Sequence, residues 1–351
     1  MSDITKPLIT TIIPTYRRPK LLRRAIKSVM NQTYPHFQVC VYDNASGDET
    51  ASVVAELAKK DPRVKYHCHS ENIGGFNNLN YGMEHVNTPY FSFLSDDDIL
   101  LPEFFQTAMD GFEKYPDAVF SAGSCINMND KGKVGSVMPW SWERDGYFTP
   151  PEGLFQMMGG KHITWTSIVF RKEVIENIGS FDKEVEAGDL DFELRIAAHF
   201  PYVVSKKPCA IFVIHDSSYC GSATYKSFWP GWSKMIRNIT EDEQLPFDVR
   251  KRAENILTDQ IKYTLRGFLI KSLKKKNFDE AYEIARIFKD YYQEKKKFIF
   301  FSFLISIIKY IPLIYYLIIL LNKIRLIYKL RRIRRQLQKQ FGDYAKLLEF
   351  I

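Results

Sequence analysis

The sequence predicts an α/β fold, a doubly wound and mostly parallel Rossmann-like sheet, followed by a separate helical region. Three observations predict it. Short runs rich in β-branched residues alternate with amphipathic segments through the N-terminal part, the pattern of a parallel sheet flanked by helices. Polar clusters stand directly after three of those runs, at the strand ends where such sheets bind ligands. The charge balance also changes along the chain: residues 1–230 carry 23 Lys+Arg against 28 Asp+Glu, and residues 231–351 carry 26 against 13. Two domains with a boundary near 230 follow from that shift. The net +8 belongs to the last third, which disfavours nucleic acid as a partner of the whole chain.

Strands are expected at Ile9–Ile13, Gln38–Tyr42, Val64–His67 and Tyr90–Leu94. Pro19 suits the start of a first helix whose apolar face is Leu21, Leu22, Ala25, Ile26, Val29 and Met30. Ser46-Gly47-Asp48-Glu49 has the spelling of a capping box ahead of Val53, Val54 and Leu57. A third helix is expected over Phe76–Val86, and the pattern is helical again from Trp232 onward. The five cysteines are odd in number and lack a Cys-x-x-Cys pair, so reduced thiols fit better than a disulfide scaffold or a zinc ribbon. The first residues lack the charged and apolar regions of a secretory signal, which leads us to expect a cytoplasmic location for the first domain.

The three polar clusters are Pro14-Thr15-Tyr16-Arg17, Asp43-Asn44-Ala45-Ser46 and Ser95-Asp96-Asp97-Asp98. No glycine-rich dinucleotide fingerprint follows the first strand. Gly159-Gly160-Lys161 lacks the upstream glycine of a phosphate loop, so hydride transfer and P-loop chemistry are disfavoured. Three consecutive carboxylates repel one another unless a cation relieves them. Mg²⁺ or Mn²⁺ does so with one or two carboxylates, completing its shell with phosphate and water. A solvated acidic turn capping a helix near Pro102 is the alternative reading of these residues alone.

Thr11-Ile12-Ile13-Pro14-Thr15-Tyr16-Arg17, Val41-Tyr42-Asp43-Asn44-Ala45-Ser46-Gly47-Asp48 and Ser95-Asp96-Asp97-Asp98-Ile99-Leu100-Leu101-Pro102 occur in the order and spacing of family 2 inverting glycosyltransferases. The chain resembles that family over residues 8–220. The resemblance implies a glycosyltransferase-A fold, a nucleotide-sugar donor, a divalent metal (Mg²⁺ or Mn²⁺) that neutralises the departing diphosphate, and these roles by position. Asp43 accepts a hydrogen bond from a uridine-type base, with Pro14, Thr15, Tyr16 and Arg17 beside it and Asn72 in the following loop. Asp96 lies close to the ribose or donor sugar, Asp97 binds the metal, and Asp98 supports them. The Ala-Arg pair usual after Asn72-Ile73-Gly74-Gly75 is missing here.

A second cluster, Gly188-Asp189-Leu190-Asp191-Phe192-Glu193-Leu194-Arg195, stands where the family commonly has Glu-Asp, which makes Asp189 the general base by resemblance. Asp191 is a supporting candidate, although both carboxylates also suit a helix N-terminus. His215, after a predicted strand, resembles a late family histidine that ligates metal or binds diphosphate, and structural packing is its alternative. Trp165, with Trp140 and Trp142, offers an aromatic platform for an acceptor or ordinary loop packing.

In the last third, Phe298–Leu321 is apolar apart from Ser302, Ser306, Lys309 and Pro312, and Lys323–Lys339 is strongly basic. Lys309 and Pro312 argue for an embedded or interfacial helical pair over a clean span. A basic cluster beside it suits anionic lipid headgroups, so this end is read as a membrane-associating region on the cytoplasmic face, peripheral or monotopic. Homo-oligomerisation through the same helices is its alternative. Together these readings lead us to expect metal-dependent transfer from a UDP- or dTDP-sugar to a hydroxyl of a glycan or lipid-linked glycan, in surface polysaccharide synthesis by resemblance. A polyprenyl-phosphate acceptor, or a non-catalytic sugar-nucleotide-binding subunit recruited to the membrane, are the competing expectations.

Overall fold

In a computed structural model of the chain, residues 9–140, 142–185, 187–215, 224–311 and 333–350 are described. β1 (Ile9–Thr15) pairs in parallel with β2 (Phe37–Asp43) on one side and β4 (Tyr90–Phe93) on the other, and β3 (Val64–Cys68) extends the sheet beyond β2. The β1–β2 register sets Thr15 opposite Asp43, so both strands deliver polar residues to the same edge. Helices α1 (Pro19–Met30), α2 (Thr50–Lys60) and α4 (Phe104–Lys114) bury Leu22, Ile26, Val54, Leu57 and Phe105 against Ile13, Val39 and Val41. The other face carries α3 (Gly75–Glu84), α5 (Glu152–Met157) and α7 (Gly188–His199), packed over Ile12, Phe91 and Phe93. A sheet buried on both faces explains why its strands read as nearly continuous apolar runs.

The remaining elements are β5 (Ile99–Leu100), β6 (Phe120–Asn129), β7 (Val134–Met138), β8 (Gly146–Phe148), β9 (Ile168–Arg171), α6 (Glu173–Ile178) and β10 (Tyr202–Ile214). They complete a sheet of order β3-β2-β1-β4-β9-β6-β10-β5, with β7 on β6 and β8 on β10. The expected mostly parallel sheet is corrected to a mixed one. β9 emerges from a 3-10 turn at Trp165–Ser167 and inserts antiparallel between β4 and β6, while β5, β7 and β8 also pair antiparallel.

The expected capping box is also corrected. α2 begins at Thr50 without a side-chain cap at Glu49, because the Ser46 hydroxyl is drawn to Asp43 at 2.6 Å; Asp48 instead accepts the Thr50 amide at 2.9 Å.

Four helices follow: α8 (Tyr225–Thr240), α9 (Phe247–Lys274), α10 (Phe278–Asp290) and α11 (Lys295–Tyr310). α8 runs through position 230, and its Met235 and Ile239 join the α3/α7 core with Val249, Ala253 and Leu257 of α9. Farther along α9, Ile261, Leu265 and Leu269 form a separate core with Ile284, Phe288 and Ile305. Much of the apolar and basic stretch, residues 312–332, lies outside the described residues. Among the described residues no helix is long and apolar enough to cross a membrane. Residues 333–350 return to the α/β domain: Leu337 and Phe341 are buried against Val134, Val137 and Val213, and Gln338 accepts the Val134 amide at 2.8 Å.

Candidate functional site

The carboxyl ends of β1, β2 and β4 bring the three sequence clusters together. After β1, Arg17 adopts a φ of 55°, a left-handed turn in which its amide donates to Ser46 Oγ at 2.8 Å and its Nε to the Ser46 carbonyl at 3.1 Å. Tyr16 is exposed beside the Arg17 guanidinium, and Pro14 is the last residue but one of β1. Asp43 is buried, with Oδ1 accepting from the Ser46 amide and hydroxyl at 3.0 and 2.6 Å. Its Oδ2 accepts from the Tyr66 hydroxyl at 2.6 Å. Asn72 accepts from Asn44 Nδ2 and the Gly74 amide, each at 2.9 Å, so the observed role of its side chain is to shape the β3–α3 loop.

The acidic triplet divides into distinct environments. Thr15 Oγ1 donates to Asp96 Oδ2 at 2.8 Å, and Arg18 Nη1 reaches both Asp96 Oδ1 at 3.1 Å and Asp97 Oδ2 at 2.9 Å. His215 Nε2 lies 2.8 Å from the same Asp97 oxygen, although it is 118 residues away in sequence. Arg24 holds the Asp97 carbonyl at 2.6 Å. Burial, with Asp97 adding to it, pushes the Asp96 pKa up to about 6, against the opposing pull of Arg18 and Thr15. Asp98 has no exposed surface. Its carboxyl is taken up by the Thr166 hydroxyl at 2.7 Å and the Val213 amide at 2.9 Å, tying the loop to β10. Burial and then Asp97 raise its pKa well above the carboxylate range. Asp98 therefore acts as an internal brace between this loop, Thr166 and β10.

A solvated acidic turn is inconsistent with this burial: Asp96 and Asp97 are only 6% and 7% exposed. The cation beside them in this structure is the Arg18 guanidinium. Asp97 and His215 form a carboxylate–imidazole pair, and among the described residues no three His, Cys, Asp or Glu side chains gather as a complete metal cage. That donor set fits a hard divalent ion that takes few protein ligands and fills its shell from phosphate and water.

Asp189 is half-buried in the first turn of α7, where the helix dipole favours a carboxylate. A Cβ at Gly188 would stand 2.7 Å from Phe76 Cε1, so the aromatic ring of α3 fills the space a larger residue would need. Asp191 faces away from any ligand role: it is fully buried, accepts from Arg195 Nε and Asn238 Nδ2 at 2.8 Å each, and joins α7 to α8. Glu193 is buried with no partner for either oxygen among the described residues, and burial, then Asp189, raise its pKa well above the usual range. Trp165 stacks on Phe93 at 5.3 Å and packs on Phe181, Trp142 is buried, and Trp140 meets Phe341 edge-on. The indoles thus serve packing in this structure.

The sequence reading missed Arg18, Arg24, Tyr66 and Thr166. Adjacent basic residues after β1 carried a usable signal, whereas Tyr66 and Thr166 are brought in by strand register and chain reversal. A cavity of about 590 Å³ adjoins the pair, lined by Arg24, Lys131 and His215 on one side and by Ala345, Leu348 and Glu349 on the other. Residues at the far end of the chain therefore wall the site.

The sequence model of Glycosyl transferase family 2 matches residues 10–179. A Campylobacter jejuni protein named GalNAc(5)-diNAcBac-PP-undecaprenol beta-1,3-glucosyltransferase is 31% identical over 172 residues, 49% of this chain and 54% of that protein. An uncharacterized glycosyltransferase of Rickettsia typhi is 26% identical over 281 residues, covering 76% of this chain and 82% of its own length. Several of the curated relatives are thus matched over about half their length or less. Among solved structures, S. aureus TarS 1-349 in complex with UDP-GlcNAc superposes with a TM-score of 0.64 at 15% identity, over 80% of both chains. That likeness shows a shared fold, the glycosyltransferase-A type of mixed α/β sheet.

Proposed function

We propose that the chain, whose residues 10–179 match the family 2 glycosyltransferase model, is an inverting glycosyltransferase using a uridine or thymidine diphosphate sugar. In this reading the acceptor is a hydroxyl of a lipid-linked glycan, in surface polysaccharide synthesis. The observation that carries the reading is the convergence of Asp97 and His215 on one point, beside the Thr15–Asp96 contact and the buried Asp43. The lipid-linked acceptor is favoured by the name of the Campylobacter relative.

In the mechanism, Asp43 accepts the ring N–H of the base and Asp96 faces the ribose or donor sugar. An acceptor hydroxyl attacks the anomeric carbon from the side opposite the diphosphate. The new C–O bond forms as the bond to the diphosphate breaks, and Asp189 takes the hydroxyl proton. Water performs the same inverting displacement in glycoside hydrolysis. Asp97 and His215 would hold Mg²⁺ or Mn²⁺, which supplies Lewis-acid stabilisation of the departing diphosphate. Arg18, which pairs with both carboxylates here, is the side chain with which such an ion would compete for Asp97.

Membrane association belongs to the same reading. On α11, Ile299, Phe300 and Phe303 are 65%, 60% and 65% exposed, next to Lys295, Lys296 and Lys297. An apolar face beside lysines suits the headgroup region of an anionic bilayer. We place the enzyme at the cytoplasmic face on that basis.

The test is product formation from UDP- and dTDP-sugars with Mn²⁺ and lipid-linked acceptors, analysed for anomeric configuration. Inversion at the transferred sugar supports the proposal, and retention contradicts it. Activity that survives Asp189→Asn would transfer the reading to a polyprenyl-phosphate acceptor, which needs no base.

A further inference from the structure

Arg24 and Ser28 of α1 stand four residues apart, on one face of the helix, and Gln32 follows just beyond its end. All three bond to the main chain between Asp97 and Phe105. Arg24 Nη2 donates to the Asp97 carbonyl at 2.6 Å, and Ser28 Oγ accepts the Leu100 amide at 3.1 Å. Gln32 Nε2 donates to the Leu101 carbonyl at 2.7 Å, while its Oε1 accepts the Phe105 amide at 3.1 Å. Ser28 and Gln32 are buried, and they grip the chain where it leaves the site toward α4. Arg24 grips the acidic loop itself.

Three carboxylates stand beside Arg24, yet its guanidinium is bonded to a main-chain carbonyl. Its Nε is buried without a partner among the described residues. Arg18, by contrast, takes the side chains of Asp96 and Asp97. The rest of the loop is pinned on other sides: the Asp98 amide donates to the Ser95 carbonyl at 3.1 Å, and the Asp98 carboxyl is held by Thr166 and Val213. The bond from Arg24 thus fixes the backbone of Asp97 and leaves both of its carboxylate oxygens to other partners.

We infer that Arg24 is a positioning residue, which by holding the Asp97 carbonyl keeps the Asp97 carboxylate turned toward His215 and open to a divalent ion. The inference rests on the proposed reading that Asp97 and His215 hold that ion. Position and charge act here in opposite senses. A guanidinium close to the site repels a divalent cation, so removing the charge alone would tighten the ion, whereas removing the bond lets the carboxylate swing and loosens it. The sign of the change therefore separates the two roles.

The experiment is titration of the full chain with MnCl₂ at saturating UDP, with free Mn²⁺ read by electron paramagnetic resonance. It is run on wild type, Arg24→Met, Arg24→Lys, Gln32→Leu and Asp97→Asn, with thermal unfolding of each recorded in EDTA. Arg24→Met should weaken Mn²⁺ by about tenfold or more, the effect of groups that orient a metal ligand through a hydrogen bond. Arg24→Lys keeps a charged donor and should bind Mn²⁺ within about threefold of wild type. Gln32→Leu strips two main-chain groups of their partner, so it should lower the melting temperature and still hold Mn²⁺ within about threefold of wild type.

An Arg24→Met variant that unfolds normally and binds Mn²⁺ as tightly as wild type, or more tightly, overturns the inference and leaves the metal reading intact. So does a Gln32→Leu variant that loses as much Mn²⁺ affinity as Arg24→Met, since any loosening of α1 would then suffice. An Arg24→Lys variant as weak as Arg24→Met counts against it in the same way. Should Arg24→Met not fold, Arg24→Gln is read by the same criterion. Equal Mn²⁺ binding by wild type and Asp97→Asn overturns the metal reading, and the inference with it.

Discussion

Asp96→Asn tests the electrostatics of the site through stability. In the folded chain Asp96 has its pKa raised from 3.8 to about 6, because burial and Asp97 outweigh Arg18 and Thr15. A carboxyl with a raised folded pKa contributes stability that is complete below its unfolded pKa, near 4, and is lost as pH rises through about 6. Two pKa units correspond to about 3 kcal/mol. Asparagine is nearly isosteric with the neutral acid and has no charge to expose, so the variant escapes that loss. Without divalent metal, the variant should match wild type below pH 4 and exceed it by about 3 kcal/mol above pH 7, a melting difference on the order of 5 °C. The assay is thermal unfolding by circular dichroism in EDTA across pH 4 to 8. An advantage that does not grow with pH, or a variant less stable at pH 8, would refute the reasoning. If Asp96 faces the donor as proposed, the same variant should also lose donor binding.

Four further predictions follow from other residues. Asp189→Asn should lower kcat by about 10² to 10⁴ while UDP affinity stays within about twofold, measured by radiolabel transfer and calorimetry; a kcat near wild type contradicts the base assignment. Thr166→Val removes the hydroxyl on buried Asp98 and should destabilise the chain by about 1.5 to 3 kcal/mol in urea unfolding, and an unchanged midpoint would contradict the bracing role. Glu193→Met replaces a buried carboxyl without a partner among the described residues and should stabilise the chain by about 1 to 3 kcal/mol, with the gain rising with pH because the raised carboxyl no longer has to ionise. The pair Phe300→Glu and Phe303→Glu should reduce sedimentation with phosphatidylglycerol vesicles by about tenfold, since each removes exposed apolar area and adds a repelled charge.

The strands and helices of the first half were legible because each carries its own periodicity. β1 and β2 differ from expectation only at their ends, and α1 begins at the predicted Pro19. The antiparallel entry of β9 was not, since a run of four residues has no periodicity that states its direction. The gathering of Asp43, Asp96, Asp97 and His215 at one edge of the sheet was legible, because each stands at or soon after the end of a strand or strand-like run. Their partners were less so. Thr166 reaches Asp98 across 68 residues, and Tyr66 reaches Asp43 across 23, through a register that only the folded sheet fixes. Asp191 shows the reverse case: a carboxylate at a helix start suits a site equally well until Arg195 and Asn238 are seen to occupy it. The packing of residues 333–350 against the site was likewise hidden, because their basic and apolar composition suits a membrane surface as well as a protein one.

The most direct measurement is the anomalous scattering of manganese in crystals grown with UDP. The account predicts a peak bonded to Asp97 and His215, with Arg18 displaced from Asp97. Bound UDP with manganese elsewhere, and Arg18 still between Asp96 and Asp97, would contradict it.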